Sequence, residues 1–315
     1  MADDESLSRA TTGRLCRGGL RRVFCGARGL RTGWKALLFV LIVIALFLTT
    51  RPLLSRVVPR PPVGSISLRV ELVREFWLVL LVLAATSIMA GIERRTVRSY
   101  GYATADGLLR LATGASWGFV SISVLVGVLW LHGSLVFDGL SLGGLSACRY
   151  AAATSAGFLL LGFVEESLFR GYLQFALARA LGFWWAALIL SVAFGLLWHG
   201  SNAGETLLGL LSAAAGGLLF CLSLWYTKSL FWAVGFHAGW DWGQSYFYGT
   251  ANSGIVIPGH LLSTHPTGNS LWSGGPTGPE GSLLLLPLLM LLLIGMCAWW
   301  GRGKPALGLR EQWSW

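Results

Sequence analysis

Ionisable side chains occur within or beside the apolar runs of the second half of this chain, in three short stretches: FVEESLFRGY, SVAFGLLWHGSNAGE and FWAVGFHAGWDWGQ. The residues concerned are Glu165, Glu166, Arg170, His199, His237 and Asp241. An ionisable group at membrane depth costs roughly 3 to over 10 kcal/mol, so it is usually paired, hydrated or functional. These stretches are therefore the candidates for chemistry.

The first stretch combines an expected ion pair with a carboxylate that has no local partner. On a helix, Glu166 and Arg170 stand at i and i+4 and share a face. Glu165 points about 100° away from Glu166. A carboxylate in a poorly solvated pocket becomes a better base, which would suit Glu165 for deprotonating water. A structural ion-pair cluster between helices explains the same residues equally well.

Histidines mark the other two stretches. His199 closes its apolar run, and the following Asn202 and Glu205 are better explained as helix caps than as catalysts. His237 and Asp241 stand at i and i+4 on one helical face, where helix-to-helix hydrogen bonding is the simpler explanation.

Taken together, the three stretches contain the parts of a site that activates water. A base takes a proton from water, a donor holds the developing oxyanion, and a carboxylate orients a histidine. The chain has neither the G-x-S-x-G motif of a serine hydrolase nor the H-E-x-x-H motif of a zinc peptidase.

The composition indicates which elements must position these residues. Of the 315 residues, 54% are hydrophobic and 12% charged, and the mean hydropathy is +0.64. A soluble domain carries about 25% charged residues, so a soluble enzyme is excluded as the leading interpretation. The sequence predicts an all-α polytopic membrane protein, a bundle of about eight transmembrane helices with a membrane-embedded polar site. The predicted spans are 36–50, 76–92, 111–131, 151–178, 180–198, 206–227, 229–247 and 282–301.

The glycines of the third stretch predict a close helix contact. Gly235 and Gly239 form a G-x-x-x-G step, which lets a neighbouring helix approach closely.

The charge distribution favours a lipid bilayer as partner and argues against nucleic acid. The net charge is +10, and eight of the 24 Lys and Arg residues lie in the first 35 positions. No polar segment shows a basic face interleaved with aromatic residues. We expect an integral protein of the bacterial plasma membrane with a cytoplasmic N-terminus, although the five arginines of 51–75 oppose a full crossing by the first span. The five cysteines contain no C-x-x-C pair and indicate no disulfide framework.

The pattern of apolar runs and turn-forming residues divides the chain into five parts. They are a basic cytoplasmic tail expected to be disordered (1–35), N-terminal transmembrane helices (36–144), a helical core that carries the three ionisable stretches (145–248), a Gly/Ser/Pro-rich loop (249–281) and a C-terminal transmembrane helix with its tail (282–315).

The order and spacing of the three motifs resemble the CPBP family, the CAAX prenyl endopeptidase-like and bacteriocin-processing intramembrane proteases also called ABI proteins. The matching features are E-E-x-x-x-R at Glu165–Arg170, a motif ending at His199, and H-x-x-x-D at His237–Asp241. The resemblance covers about residues 145–247. It implies a polytopic helical fold with a membrane-embedded peptidase site. The implied substrate is a membrane-bound protein or peptide, with a prenylated C-terminus as one option.

The resemblance also implies a role for each residue. Glu165 would activate water, and His199 would hold or deprotonate that water. Glu166 and Arg170 would order the helix. His237 and Asp241 would stabilise the oxyanion or orient the attacking group.

The chain departs from the family pattern at two positions. The family commonly has Phe four residues before the histidine of its second motif, whereas here Gly195 stands there and Phe194 is five residues before. Different aromatic packing around His199 is therefore expected. The family often has Asn in place of Asp241, and an ionised Asp cannot donate a hydrogen bond to an oxyanion. Asp241 is thus expected to act through His237 or in a protonated form.

Three matters stay open at this stage. Two histidines and carboxylates could ligate Zn²⁺, but the spacing matches no compact zinc motif, so we assign no cofactor and favour a metal-free mechanism. A non-catalytic membrane scaffold or immunity-type protein on the same fold is the alternative function. A transporter with a proton relay is a weaker one, because the polar groups are concentrated in one half of the chain.

Overall fold

The computed structural model describes residues 25–26, 29–58, 67–102, 105–202 and 204–302. Most of the predicted basic tail and the chain after residue 302 lie outside the described residues.

The described residues are mostly helical, which confirms the predicted all-α class. The helices are α1 (Thr32–Val57), α2 (Leu68–Glu93), α3 (Gly107–Leu131), α4 (Gly144–Glu166), α5 (Leu173–Leu181), α6 (Phe183–Ala193), α7 (Leu207–Thr227), α8 (Phe231–Asp241), α9 (Ser270–Ser273) and α10 (Leu285–Gly301). The strands form two antiparallel pairs, β1 (Cys25–Gly26) with β2 (Gly29–Leu30) and β3 (Leu135–Leu140) with β4 (Leu262–Pro266).

Six helical segments of the described chain are long and apolar enough to cross a membrane. They are α1, α2, α3, α7, the segment Gly144–Leu181 and the segment Phe183–Ser201, and α10 is a shorter apolar helix. The number is roughly that expected from the sequence. The main difference is the predicted span 229–247, in which only the 11 residues of α8 are α-helical.

Helix α8 is buried among the longer helices and crosses α3 at very short range. Glycines on both helices make this contact possible, as the G-x-x-x-G step predicts. A Cβ atom on Gly235 or Gly239 would collide with the α3 backbone, and one on Gly114 or Gly118 would collide with α8. The helix that carries His237 is thereby fixed against α3 by backbone contacts.

Helix α7 contributes to both of the larger apolar clusters in the described part of the chain. Its Cys221 and Leu224 pack with residues of α1, α2, α5 and α6. Its Leu219 and Phe220 pack with residues of α3, α8 and α10. The outer face of α1, with Leu41 and Leu48 exposed, presents the apolar surface that a bilayer covers.

Three π-helical turns interrupt the helices beside the candidate residues. They are Ser167–Tyr172 after α4, Phe194–Trp198 after α6 and Trp242–Phe247 after α8. Such wide turns are rare and occur frequently at functional sites. Each one here overlaps one of the three ionisable stretches.

The Gly/Ser/Pro-rich loop contains regular structure of its own. Strand β4 pairs with β3, and α9 and two 3₁₀ turns follow it. Gly254 packs against the backbone of Gly204, and its N–H donates to the carbonyl of Thr277 at 3.2 Å. The loop is therefore held against the connection between α6 and α7.

Candidate active site

A cavity of about 670 Å³ lies among the helices and under the 249–281 loop. Glu165, His199, His237 and Asp241 all line it, so the three stretches meet in one space. Much of the remaining wall is apolar, with Phe158 as one example. The cavity wall therefore combines these polar groups with surface that suits an apolar ligand.

Glu165 lies in the last turn of α4, where its carboxylate is held from one side. The indole N–H of Trp198 donates to Oε1 at 2.9 Å. Oε2 lies 3.6 Å from Nε2 of His237 and, among the residues that the structure describes, has no hydrogen-bond partner. The Trp198 contact fixes one oxygen and leaves the other directed at the site.

Glu166 is fully buried and contacts two side chains through the same oxygen. Its Oε1 lies 3.3 Å from Nη1 of Arg170 and 3.1 Å from Nδ1 of His237. The Arg170 guanidinium, also fully buried, stacks 4.4 Å above the Phe194 ring. Because a carboxylate only accepts, Nδ1 of His237 is the donor in this contact.

The other nitrogen of His237 faces two carboxylates. Nε2 lies 3.6 Å from Oε2 of Glu165 and 3.5 Å from Oδ2 of Asp241. Lone pairs on all three atoms would repel, so a proton lies among them, on the imidazole or on a carboxyl group. Phe220 stacks on the imidazole with ring centres 5.5 Å apart and keeps its plane fixed.

The π-helical turn Phe194–Trp198 brings Phe194 onto His199 in spite of the altered spacing. The backbone N–H of His199 bonds to the carbonyl of Phe194, five residues earlier. The two rings meet edge to face, with centres 4.7 Å apart. The wide turn absorbs the extra residue, so Phe194 contacts His199 although the spacing differs from the family pattern. Gly195 packs instead against the backbone of α7, at Leu210.

The imidazole of His199 is bound at one nitrogen only. Nδ1 lies 3.0 Å from Oγ of Ser253 and 3.6 Å from Oε2 of Glu205. Nε2 is buried and has no hydrogen-bond partner within the described part of the chain. The expectation that Glu205 is a helix cap is wrong, because Thr206 caps α7 through the N–H of Gly209.

The 249–281 loop supplies polar residues that the sequence reasoning did not identify. Asn252, Ser253 and Glu280 line the cavity, and the Asn252 amide lies beside the Asp241 carboxylate. Glu280 accepts from the Trp240 indole at 3.0 Å and from the Ser253 hydroxyl at 3.3 Å. Burial raises the pKa of the Glu280 carboxyl, against the opposing effect of the His199 imidazole.

A further carboxylate, Glu75 of α2, also lines the cavity and pairs with Arg74 at 2.9 Å. Among the described residues, no group of three or more His, Cys, Asp or Glu side chains is arranged to hold a metal ion.

These features define a class: a polytopic helical membrane protein with a buried carboxylate–histidine site. Residues 149–243 match the model of the family described as Type II CAAX prenyl endopeptidase Rce1-like, which confirms the resemblance seen in the motifs. The matched segment contains all six candidate residues and points to a peptidase of the CAAX type that works within membranes. Such a family implies a membrane-associated protein substrate. No curated protein matches the chain.

Proposed function

We propose that the protein is an intramembrane endopeptidase that hydrolyses a peptide bond of a membrane-associated protein or peptide. The observation that carries the proposal is a pair of polar atoms, Oε2 of Glu165 and Nε2 of His199. Both are buried, both belong to side chains that line the same cavity, and neither has a hydrogen-bond partner among the described residues. Buried polar atoms are normally paired, and a substrate water would satisfy these two.

The reaction begins at Glu165, which removes a proton from the water while Nε2 of His199 accepts a second hydrogen bond from it. The water oxygen attacks the scissile carbonyl carbon, and the carbonyl π electrons move to its oxygen. The tetrahedral intermediate then collapses, the C–N bond breaks, and the proton held by Glu165 passes to the leaving nitrogen. The products are a carboxylic acid and an amine.

The developing oxyanion is stabilised by His237. With Nδ1–H directed at Glu166, a proton on Nε2 makes the ring an imidazolium, which donates from the side that faces the cavity. The Asp241 carboxylate, 3.5 Å from Nε2, then acts through His237 by stabilising the positive charge of the imidazolium. Arg170 balances the charge of Glu166, so the ring keeps its orientation.

The substrate in this proposal reaches the site from the bilayer. The cavity wall includes apolar side chains of α2 and α4, among them Leu78 and Leu161. A lipid-modified or apolar peptide would bury its surface there, and a prenylated C-terminus is one such substrate. We assign no cofactor; cleavage that survives exhaustive chelation would support a metal-free reaction.

The decisive test replaces Glu165 with Gln, which keeps the shape and removes the base. In proteoliposomes, cleavage of a fluorogenic peptide with a farnesylated C-terminus should fall about 10²- to 10⁴-fold. Asp138→Asn, which weakens only an exposed pair with His265 between β3 and β4, is the matched control and should cleave normally. Undiminished cleavage by the Glu165→Gln variant would falsify the proposal.

The alternative is a non-catalytic scaffold on the same fold, in which the His199 environment would not need to be kept. The contact between the Phe194 and His199 rings across the altered spacing favours the peptidase over this alternative. It is tested by a folded Glu165→Gln/His199→Ala double variant, whose full retention of cellular function would favour the scaffold.

A further inference from the structure

A chain of hydrogen bonds runs from the 249–281 loop to His199. The Trp240 indole donates to Oε1 of Glu280 at 3.0 Å, and the Ser253 hydroxyl donates to Oε2 at 3.3 Å. Oγ of Ser253 in turn lies 3.0 Å from Nδ1 of His199. Ser253 and Glu280 lie outside the segment that matches the family model, which ends at residue 243.

The direction of these hydrogen bonds sets the tautomer of His199. Ser253 uses its single proton toward Glu280, so the Ser253 oxygen can only accept from the imidazole. Oε2 of Glu205 lies 3.6 Å from the same nitrogen, and this carboxylate oxygen also favours a proton on Nδ1. Nδ1 therefore carries the hydrogen, and Nε2 presents its lone pair.

We propose that Ser253 and Glu280 are positioning residues that hold His199 as the Nδ1–H tautomer, with Nε2 free to accept from the attacking water. This inference rests on the proposed function for its catalytic meaning, but the tautomer itself is measurable without any substrate. In enzymes and metal sites, a hydrogen bond at one ring nitrogen of a histidine commonly fixes the tautomer and orientation of the nitrogen that reacts or binds the metal.

The backbone around Ser253 is held tightly enough for this task. Ser253 has φ +46°, a left-handed conformation that is uncommon for residues other than Gly. Gly254 follows at φ +82° and packs directly on the backbone of Gly204. Such strain persists where the surroundings fix the conformation, and it concentrates at functional sites. The hydroxyl is thus placed by the loop and the α6–α7 connection together.

Four ionisable groups on different elements surround His199. They are Glu165 on α4, Glu205 before α7, His237 on α8 and Glu280 on the loop. Because all of them affect its titration, a shift in pH optimum alone would not isolate the effect of Ser253. A direct measurement of the tautomer does so.

The test uses ¹⁵N-histidine-labelled full-length protein in lipid, studied by solid-state NMR at alkaline pH. His199 is one of five histidines and is assigned from the signal missing in His199→Gln. In the wild type, Nδ1 should resonate as a protonated nitrogen and Nε2 as an unprotonated one. In Ser253→Gly and Ser253→Ala this pattern should weaken or reverse. An unchanged pattern in both variants, or the opposite tautomer in the wild type, would overturn the inference.

The two substitutions separate positioning from folding. Ser253→Gly relieves the left-handed backbone strain and should not lower thermal stability, whereas Ser253→Ala keeps the strain. Ser273→Ala is the matched control, since Ser273 is a buried serine of the same loop with two hydrogen bonds and no contact with His199. It should leave the His199 signals unchanged.

Peptidase assays of the same proteins distinguish this inference from the proposed function. Ser253→Gly and Glu280→Gln should lower kcat about 10- to 100-fold with KM within about twofold. If Glu165→Gln abolishes cleavage while Ser253→Gly keeps the wild-type kcat, positioning by Ser253 is wrong and the peptidase stands. If Glu165→Gln cleaves normally while Ser253→Gly alters the tautomer, the proposed peptidase function is wrong and the control of the His199 tautomer by Ser253 stands.

Discussion

Among single residues, Glu166 has the most consequential position, because one buried oxygen contacts both Arg170 and His237. The Arg170 guanidinium is fully buried and rests against the rings of Phe194 and Phe220. Loss of either charge leaves the other buried and uncompensated. The ion pair thus connects the stability of the fold to the orientation of the histidine.

Replacing Arg170 with Met should therefore destabilise the protein by about 3–5 kcal/mol. The double variant Arg170→Met/Glu166→Gln should recover part of this loss, because it removes the unpaired carboxylate as well. Thermal unfolding in detergent measures both effects. Arg98→Met, a substitution of an exposed arginine, is the control and should unfold as the wild type does. Equal stability of the single and double variants would contradict the charge argument.

Glu280 gives a prediction that depends on pH. Burial raises its pKa, so folding favours the protonated carboxyl more than the unfolded chain does. This relative stabilisation is lost as the pH rises through the folded-state pKa, above which Glu280 is the carboxylate that Ser253 donates to. Glu280→Gln should consequently become more stable relative to the wild type as the pH increases. The difference should grow by at most about 1.4 kcal/mol per pH unit. Unfolding temperatures of both proteins between pH 5 and 8.5 would test this, and a fall in the stability of Glu280→Gln relative to the wild type as the pH rises would contradict it.

Sequence reasoning could identify Glu165 or His237, since an ionisable group inside an apolar run stands out. It could not identify Ser253 or Glu280, because polar residues in a polar loop look like surface residues. The expectation that Glu205 caps a helix fails for a related reason. Its position before a helix fits a cap, but burial beside His199 is a tertiary effect that local preference cannot reveal.

The wide turn after α6 lets the Phe194 ring contact the His199 ring although one more residue separates them than in the family pattern. A small residue is needed beside it, because Gly195 contacts the backbone carbonyl of Leu210 on α7. A larger residue would push α6 and α7 apart and move His199 with them.

Gly195→Ala should accordingly destabilise the protein by about 1–3 kcal/mol and reduce cleavage. Gly127→Ala is the matched control: Gly127 lies in α3 with open space around it, so this change should be neutral or slightly stabilising. Both are compared by thermal unfolding and by peptide cleavage. Wild-type behaviour of Gly195→Ala would show that the two helices tolerate separation.

Long apolar runs predicted the main helices well, because hydropathy reports directly on contact with lipid. The end of the helix in segment 229–247 is harder to predict, because its eleven-residue helix passes into the Trp242–Phe247 turn without any change in apolar character. Strand β4 was not predicted either. Its pairing with β3, more than a hundred residues earlier, leaves no local signal in LSTHP.

Glu93 connects the N-terminal helix α1 to the helical segment that holds the site. Its carboxylate lies 3.3 Å from Nζ of Lys35 on α1 and 2.6 Å from Nη1 of Arg179 on α5. The hydroxyl of Tyr172 donates to it at 2.8 Å. These contacts lie away from the cavity, so their role is to hold helices together.

Glu93→Gln should lower the free energy of unfolding by about 1.5–3 kcal/mol, since it leaves Lys35 and Arg179 without their counter-charge. The folded protein should keep its specific activity, because Glu93 does not line the cavity. Asp106→Asn, which weakens an exposed pair with Arg110, is the control and should change little. A large loss of specific activity in folded Glu93→Gln would show that α1 influences the site.

The position of Arg170 one turn after Glu166 also bears on how the chain is made. The two residues leave the ribosome together, whereas His237 is synthesised later. The nascent segment brings its own counter-ion, so that pair can enter the bilayer as a neutral unit before its later partner exists. Insertion of this segment alone by a translocon should therefore suffer more from loss of Arg170 than from loss of both residues.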